Sequence, residues 1–137
     1  MAPSVVVDTG PIIALLDADE ANHPWAVEQI ERLRPPLLTC EAVLTEATFL
    51  TRRLGGDPAL VIDFVSRGML TVVDLFDEDA EAIARLIRRY ASTPMSLADA
   101  CLVRIVERTP NATLLTLDSD FHIYRQKNRR IIPLLIP

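Results

Sequence analysis

Little in this sequence belongs to a secreted, membrane-spanning or zinc-held protein. Its two cysteines, Cys40 and Cys101, form no C-x-x-C pair. They read as buried thiols rather than as a disulfide or a zinc site. His23 and His122 lie far apart, with no cysteine or second histidine at ligand spacing, so each reads as a surface or cap histidine. No run approaches the roughly 18 apolar residues of a membrane span. The first ten residues lack a basic stretch, and Asp8 interrupts their only apolar run. They do not read as a signal peptide, and a cytoplasmic location is expected. Basic charge is scarce: 14 basic residues face 19 acidic ones, the net charge is −5, and Lys127 is the sole lysine. Such a chain is a poor candidate for tight, non-specific binding to a phosphate backbone. A nucleic-acid enzyme is not thereby excluded, because metal-binding carboxylates themselves push the balance negative. Internal repeats, low-complexity tracts and linkers are also missing. Gly55-Gly56-Asp57-Pro58 is the longest punctuation and reads as a turn between helices.

What remains is a globular composition. With 137 residues, half of them apolar and 24% charged, the chain suits one domain over residues 1–137 around one core. Its positive mean hydropathy hints that a partner covers apolar surface. Ser4-Val5-Val6-Val7 is a β-branched run without polar alternation, which suits a strand covered on both faces. Further strands are expected over residues 35–40, 70–73 and 112–117. A last, edge strand is expected over 131–136, because Pro133 cannot donate to a ladder. Helices are expected over 9–17, 22–33, 41–54, 58–67, 77–91 and 96–108. Asn22 caps the second of these, with Pro24 just inside it. Strand and helix alternate throughout, so the expected fold class is α/β: three layers, with a mostly parallel central sheet flanked by helices. Sites in such folds lie beyond the carboxyl ends of the strands.

Two carboxylates stand there. Asp8 ends the first strand and Asp118 ends the strand over 112–117. Taken singly, each reads equally well as a cap or turn residue. Asp99 says more. On a helical wheel it falls within the apolar arc of Ala98, Leu102, Val103, Ile105 and Val106. Ser96-Leu97-Ala98-Asp99 also fits a capping box, which explains an acid in the first turn but not a first turn that faces the core. Glu46 lies at the edge of the stripe formed by Val43, Ala47, Leu50 and Leu54, and alone would read as a surface glutamate. Gathered at one end of a sheet, these acids repel one another unless a cation offsets the cost. All-oxygen ligation selects a hard ion, Mg2+ or Mn2+, suited to displacement at phosphorus.

Four segments then resemble a known family, the PIN domain, and within it the VapC-like toxins of toxin–antitoxin pairs. Val5-Val6-Val7-Asp8-Thr9-Gly10-Pro11 resembles the family's first strand and acidic motif, and Leu44-Thr45-Glu46-Ala47-Thr48 its helix-borne glutamate. Ser96-Leu97-Ala98-Asp99-Ala100 resembles the third acidic motif, and Leu115-Thr116-Leu117-Asp118-Ser119-Asp120-Phe121 the fourth. The likeness covers nearly the whole chain. It implies a PIN-like fold and a metal-dependent endoribonuclease in which Mg2+ or Mn2+ activates water against a phosphodiester. Asp8, Glu46, Asp99 and Asp118 are the implied catalytic acids, and Asp8, Asp99, Asp118 and Asp120 the implied metal ligands. Asp118 is favoured over Asp120 as the direct fourth ligand, with Asp120 sharing the site through a water. Thr9 and Thr116 are the implied hydroxyls that orient a ligand or a water. The implied partners are an RNA substrate, a small antitoxin and a second copy of the chain.

Two basic groups are candidates for guiding RNA: Arg52 with Arg53, and Arg125, Lys127, Arg129 and Arg130. Each reads at least as well as an ordinary solvated helix end or loop. Trp25 reads as a core or interface residue rather than a base-stacking platform. A phosphate-accepting receiver or phosphatase domain is the rival enzyme class, but the first motif lacks a D-x-D and no lysine ends a strand near the acids. A non-catalytic PIN-like scaffold is the other rival, and the intact acids argue against it.

Overall fold

The computed structural model describes residues 3–137. Met1 and Ala2, which open the stretch weighed above as a leader, lie outside the described residues. Val5, Val6 and Val7 are all buried, as an unbroken β-branched run requires. They form β1 (Ser4–Val7), the middle strand of a five-stranded sheet. There follow α1 (Thr9–Leu16), α2 (His23–Arg32), β2 (Leu37–Thr39), α3 (Glu41–Arg53), α4 (Ala59–Ser66), β3 (Leu70–Val72), α5 (Phe76–Arg89), α6 (Leu97–Arg108), β4 (Ala112–Leu115), a 3-10 turn (Ser119–His122), β5 (Arg125–Gln126), β6 (Arg130–Ile131) and β7 (Leu134–Leu135). The sheet order is β3-β2-β1-β4-β7, and every neighbouring pair is parallel. β5 and β6 form a separate antiparallel hairpin.

This order positions the site. From β1 the chain steps outward to β2 and β3, then crosses back to β4 on the other side of β1. The direction reverses between β1 and β4, and open α/β sheets form their ligand crevice at such a reversal. The Asp8 N–H bonds the Leu115 carbonyl at 3.0 Å, tying the ends of the two strands together.

The helix α6 is buried around most of its circumference: Ala98, Ala100, Cys101, Leu102, Val103, Ile105 and Val106 are all inside. It packs on β1, β2 and β4 and against α3 and α5. From α5, Asp79 enters the interior beside Ile83 and Leu86. Its carboxylate meets Arg104 Nε at 2.8 Å and Arg108 Nη1 at 2.5 Å, so this buried charge is paired. Cys40 and Cys101 are buried and free, as expected. The Cys40 thiol is pushed up by its hydrogen bond to Cys101 and by burial.

Three expectations need correction. The edge strand expected over 131–136 is two strands. Ile131 pairs with Arg125 in the hairpin, while Leu134 and Leu135 line up beside β4. Pro133 sits between them, lending only its carbonyl, which accepts the Leu114 N–H at 2.9 Å. The strand expected over 112–117 stops at Leu115, so Asp118 does not end it directly. Asn22 stands at the N-cap of α2 but makes no side-chain cap bond. Glu20 Oε2 accepts the Asn22 N–H at 2.6 Å, and His23 Nδ1 meets the Ala14 carbonyl at 2.6 Å. Among the described residues, no helix is long and apolar enough to cross a membrane.

Candidate functional site

Local backbone requirements place three of the acids. Asp8 is the N-cap of α1, and its Oδ1 accepts the Thr9 N–H at 2.7 Å. Asp99 completes a capping box on α6. The Ser96 hydroxyl accepts the Asp99 N–H at 3.0 Å, and Asp99 Oδ2 accepts the Ser96 N–H at 3.1 Å. Asp118 caps the 3-10 turn, its Oδ1 accepting the Asp120 N–H at 2.9 Å. Capping is thus a real role for each. A cap uses one lone pair, and a carboxylate has about four acceptor sites, so the cap leaves most of the donor capacity free.

Two threonine hydroxyls cross-link these acids. Thr116, fully buried, donates to Asp8 Oδ2 at 2.8 Å and accepts the Asp118 N–H at 2.9 Å. Thr9 donates to Glu46 Oε2 at 3.0 Å, bringing the α3 glutamate to the start of α1. Gly10 allows the same close approach: a Cβ there would stand 3.1 Å from Leu117 Cβ. The result is a cleft of about 370 Å³ lined by Asp8, Thr9, Gly10, Glu46, Asp99, Leu117 and Asp118, with Glu20, Ile13 and Leu50 completing it. Four separate chain segments therefore bring Asp8, Glu46, Asp99 and Asp118 to one opening. Asp120 lies in the turn beyond and is not one of the lining residues.

The electrostatics of the cleft are unbalanced. Asp8 is only 7% exposed, and no ion pair reaches it, Glu46, Asp99 or Asp118 among the described residues. Burial pushes Asp8 up to about 6, against the lowering effect of its Thr116 and Thr9 hydrogen bonds, and the charges of Asp99 and Glu46 add to the rise. Asp99 is raised first by burial and then by Asp118, while its bonds to Ser96 and Tyr124 oppose the shift. Asp79 is the contrast: equally buried, but clamped by two arginines. The donors in the cleft are all oxygen and their charge is unneutralised, which fits a hard divalent cation. Among the described residues no three His, Cys, Asp or Glu side chains are already drawn around one point, so the acids present the donors without enclosing an ion.

Two neighbours of the acids were not singled out in the sequence. Glu20 enters from the α1–α2 loop, and nothing local in the sequence marks its reach. Tyr124 is fully buried, its hydroxyl 3.4 Å from Asp99 Oδ2, with the rings of Tyr90 and Phe121 edge-on to it at 5.0 and 5.3 Å. Burial and then the charges of Asp99, Asp120 and Asp118 hold its phenol up. The basic candidates divide. Arg52 and Arg53 are exposed in the last turn of α3, Arg53 over the Phe49 ring. The Arg125 guanidinium is bound to the carbonyls of His122, Ile123 and Tyr124 at 2.6, 3.1 and 3.2 Å. Lys127, Arg129 and Arg130 are exposed on the hairpin. Trp25 packs partly buried against the core.

The sequence matches the family model of the PIN domain over residues 5–127, from β1 to the hairpin turn. The chain belongs to the PIN-domain family. The match takes in all four acidic segments of the cleft. This PIN domain is 28% identical over 116 residues to Ribonuclease VapC26 of Mycobacterium tuberculosis, spanning 83% of this chain and 86% of that protein. Its fold is shared with the crystal structure of Mycobacterium tuberculosis VapC20, a Sarcin-Ricin loop cleaving toxin. There the TM-score is 0.79 at 22% identity, over 93% of this chain and 99% of that one. The three-layer α/β architecture expected from the sequence is thus a PIN-like fold.

Proposed function

We propose that this chain, as a single PIN-like domain over residues 1–137, is a metal-dependent endoribonuclease that hydrolyses RNA phosphodiester bonds, the toxin of a toxin–antitoxin pair acting in the cytoplasm. The observation that carries the reading is the state of Asp8. A buried carboxylate without a cation, facing Glu46, Asp99 and Asp118 at the sheet's topological reversal, is unfavourable in isolation. A divalent ion removes that penalty. RNA as substrate is supported by the relatives, one a ribonuclease and one a Sarcin-Ricin loop cleaving toxin.

Asp8, Asp99 and Asp118 would hold Mg2+ or Mn2+, with Glu46 at the rim and Asp120 behind Asp118. When bound, the ion supplies Lewis-acid chemistry: it activates water and stabilises charge developing at phosphorus. The chain's own residues set the geometry. Thr116 fixes Asp8 and, through the Asp118 N–H, the loop that carries Asp118. Thr9 holds Glu46 towards the opening. The exposed Phe49, Leu54 and Ile62 on and around α3 and α4 support a homodimer and a small antitoxin as covering partners.

Thermal melting tests the metal site directly. Saturating Mn2+ should raise the melting temperature of the wild-type protein, by about 2.7 kcal/mol of stability at a hundredfold excess over Kd. Asp8→Asn should show no such rise. A wild-type protein unmoved by metal would contradict the reading and leave a non-catalytic scaffold.

A further inference from the structure

We infer that the β5–β6 hairpin is a built phosphate-binding surface that grips the RNA strand flanking the cut, an inference that rests on the ribonuclease reading above. The cleft is lined by acids, so it repels every phosphate except one neutralised by a bound cation. A polyanion needs cations close by. The hairpin provides them in a chain whose net charge is −5: from Phe121 to the end there are four cations and no acid. Arg125 is committed to three backbone carbonyls and drops out. Lys127, Arg129 and Arg130 are exposed, and none has an ion-pair partner among the described residues. Unpaired arginine forks on the surface suit phosphate oxygens.

The hairpin is also held in place. Lys127 and Asn128 both take positive φ, 48° and 65°, as the central residues of a tight turn closed by the Arg129 N–H on the Gln126 carbonyl at 3.2 Å require. Arg89 clamps Asn128 through its side-chain and main-chain oxygens, both at 2.8 Å. Glu107 accepts the Lys127 N–H at 2.5 Å. The cleft and the hairpin are joined through Tyr124, whose hydroxyl meets Asp99 and whose backbone leads directly into β5. Lys127, Arg129 and Arg130 follow Tyr124 within six residues and outnumber the hairpin's one exposed apolar side chain, Ile131, so this surface fits a nucleic-acid backbone better than an apolar protein face.

The test uses full-length protein carrying Asp8→Asn, to prevent cleavage, and a fluorescein-labelled RNA stem-loop with single-stranded flanks. Binding is read by anisotropy across a salt series. Adding Lys127→Ala, Arg129→Ala and Arg130→Ala should weaken binding at least tenfold and lower the slope of log K against log salt by about 2, at roughly 0.7 per lost phosphate contact on single strands. Arg32→Ala, Arg34→Ala and Arg67→Ala, three exposed cations elsewhere, match the change in net charge and should leave the slope unchanged. An unchanged slope in the hairpin variant overturns the inference. So does an intact RNA affinity combined with lost self-association, which would make the hairpin a protein interface. If the hairpin slope falls but the wild-type protein never cleaves RNA with metal, the ribonuclease reading fails while the RNA surface stands.

Discussion

At the scale of single residues, Asp8 carries the account. Its carboxyl titrates near 6 when folded, against 3.8 unperturbed, with burial as the main cause. The folded state therefore holds its proton more tightly than the unfolded chain. Below about pH 4 this group costs nothing. As pH rises through 6 the folded protein loses about 3 kcal/mol from it, in the absence of metal. Asp8→Asn removes that charge but places an amide N–H against Thr116 or Thr9, losing about 1 kcal/mol of hydrogen bonding. Urea unfolding in EDTA should thus find Asp8→Asn more stable than wild type by about 1–2 kcal/mol at pH 7.5 and no more stable at pH 4. A variant that is destabilised equally at both pH values would show that Asp8 is not under electrostatic strain. Thr116→Val should behave in the opposite way. It leaves Asp8 Oδ2 and the Asp118 N–H without their partner, which should cost about 2 kcal/mol at neutral pH and weaken Mn2+ binding measured by calorimetry. Unaltered metal affinity in that variant would mean the hydroxyl does not orient the acids.

At the scale of elements, legibility in the sequence follows distance along the chain. The capping box of Ser96 and Asp99, the Asp8 cap and the helix starts are settled within four residues, and their side-chain patterns announce them. Asp99 on the apolar arc of α6 was readable for the same reason. Asp79 was equally readable in principle: it shares its face with Ile83 and Leu86, at helical spacing, and Arg104 and Arg108 stand one turn apart on α6. What the pattern lacks is the antiparallel packing of α5 on α6 that joins them. The split of the last strand around Pro133 was not readable, because the chain's choice between β4 and β5 as neighbours depends on three-dimensional register. The Asp79 pair is structural by this account. Asp79→Ala should cost about 2 kcal/mol, since Arg104 and Arg108 are partly exposed and become hydrated. Cleavage per folded molecule should stay at the wild-type level. A loss of activity beyond the unfolded fraction would extend the site across α6.

At the scale of the whole molecule, the sheet order turns scattered acids into a cleft. Asp8 and Asp118 are separated by more than a hundred residues, yet β1 and β4 lie side by side at the reversal in strand order. The alternation of strands and helices made that convergence expected from sequence, because parallel sheets put their carboxyl ends together. Glu20 and Tyr124 escaped because a loop and a hairpin, with no periodicity of their own, deliver them. Charge is divided in the same way, with acids lining the opening and, on the hairpin, exposed cations that have no ion-pair partner among the described residues. The most direct test is cleavage of a mixed pool of structured RNAs by purified protein with Mn2+ or Mg2+, with EDTA, and with Asp8→Asn or Asp99→Asn in place of wild type. The account predicts cleavage by wild type that requires the metal and is abolished in both variants while their folds survive. Metal-dependent cleavage retained by both variants would contradict it.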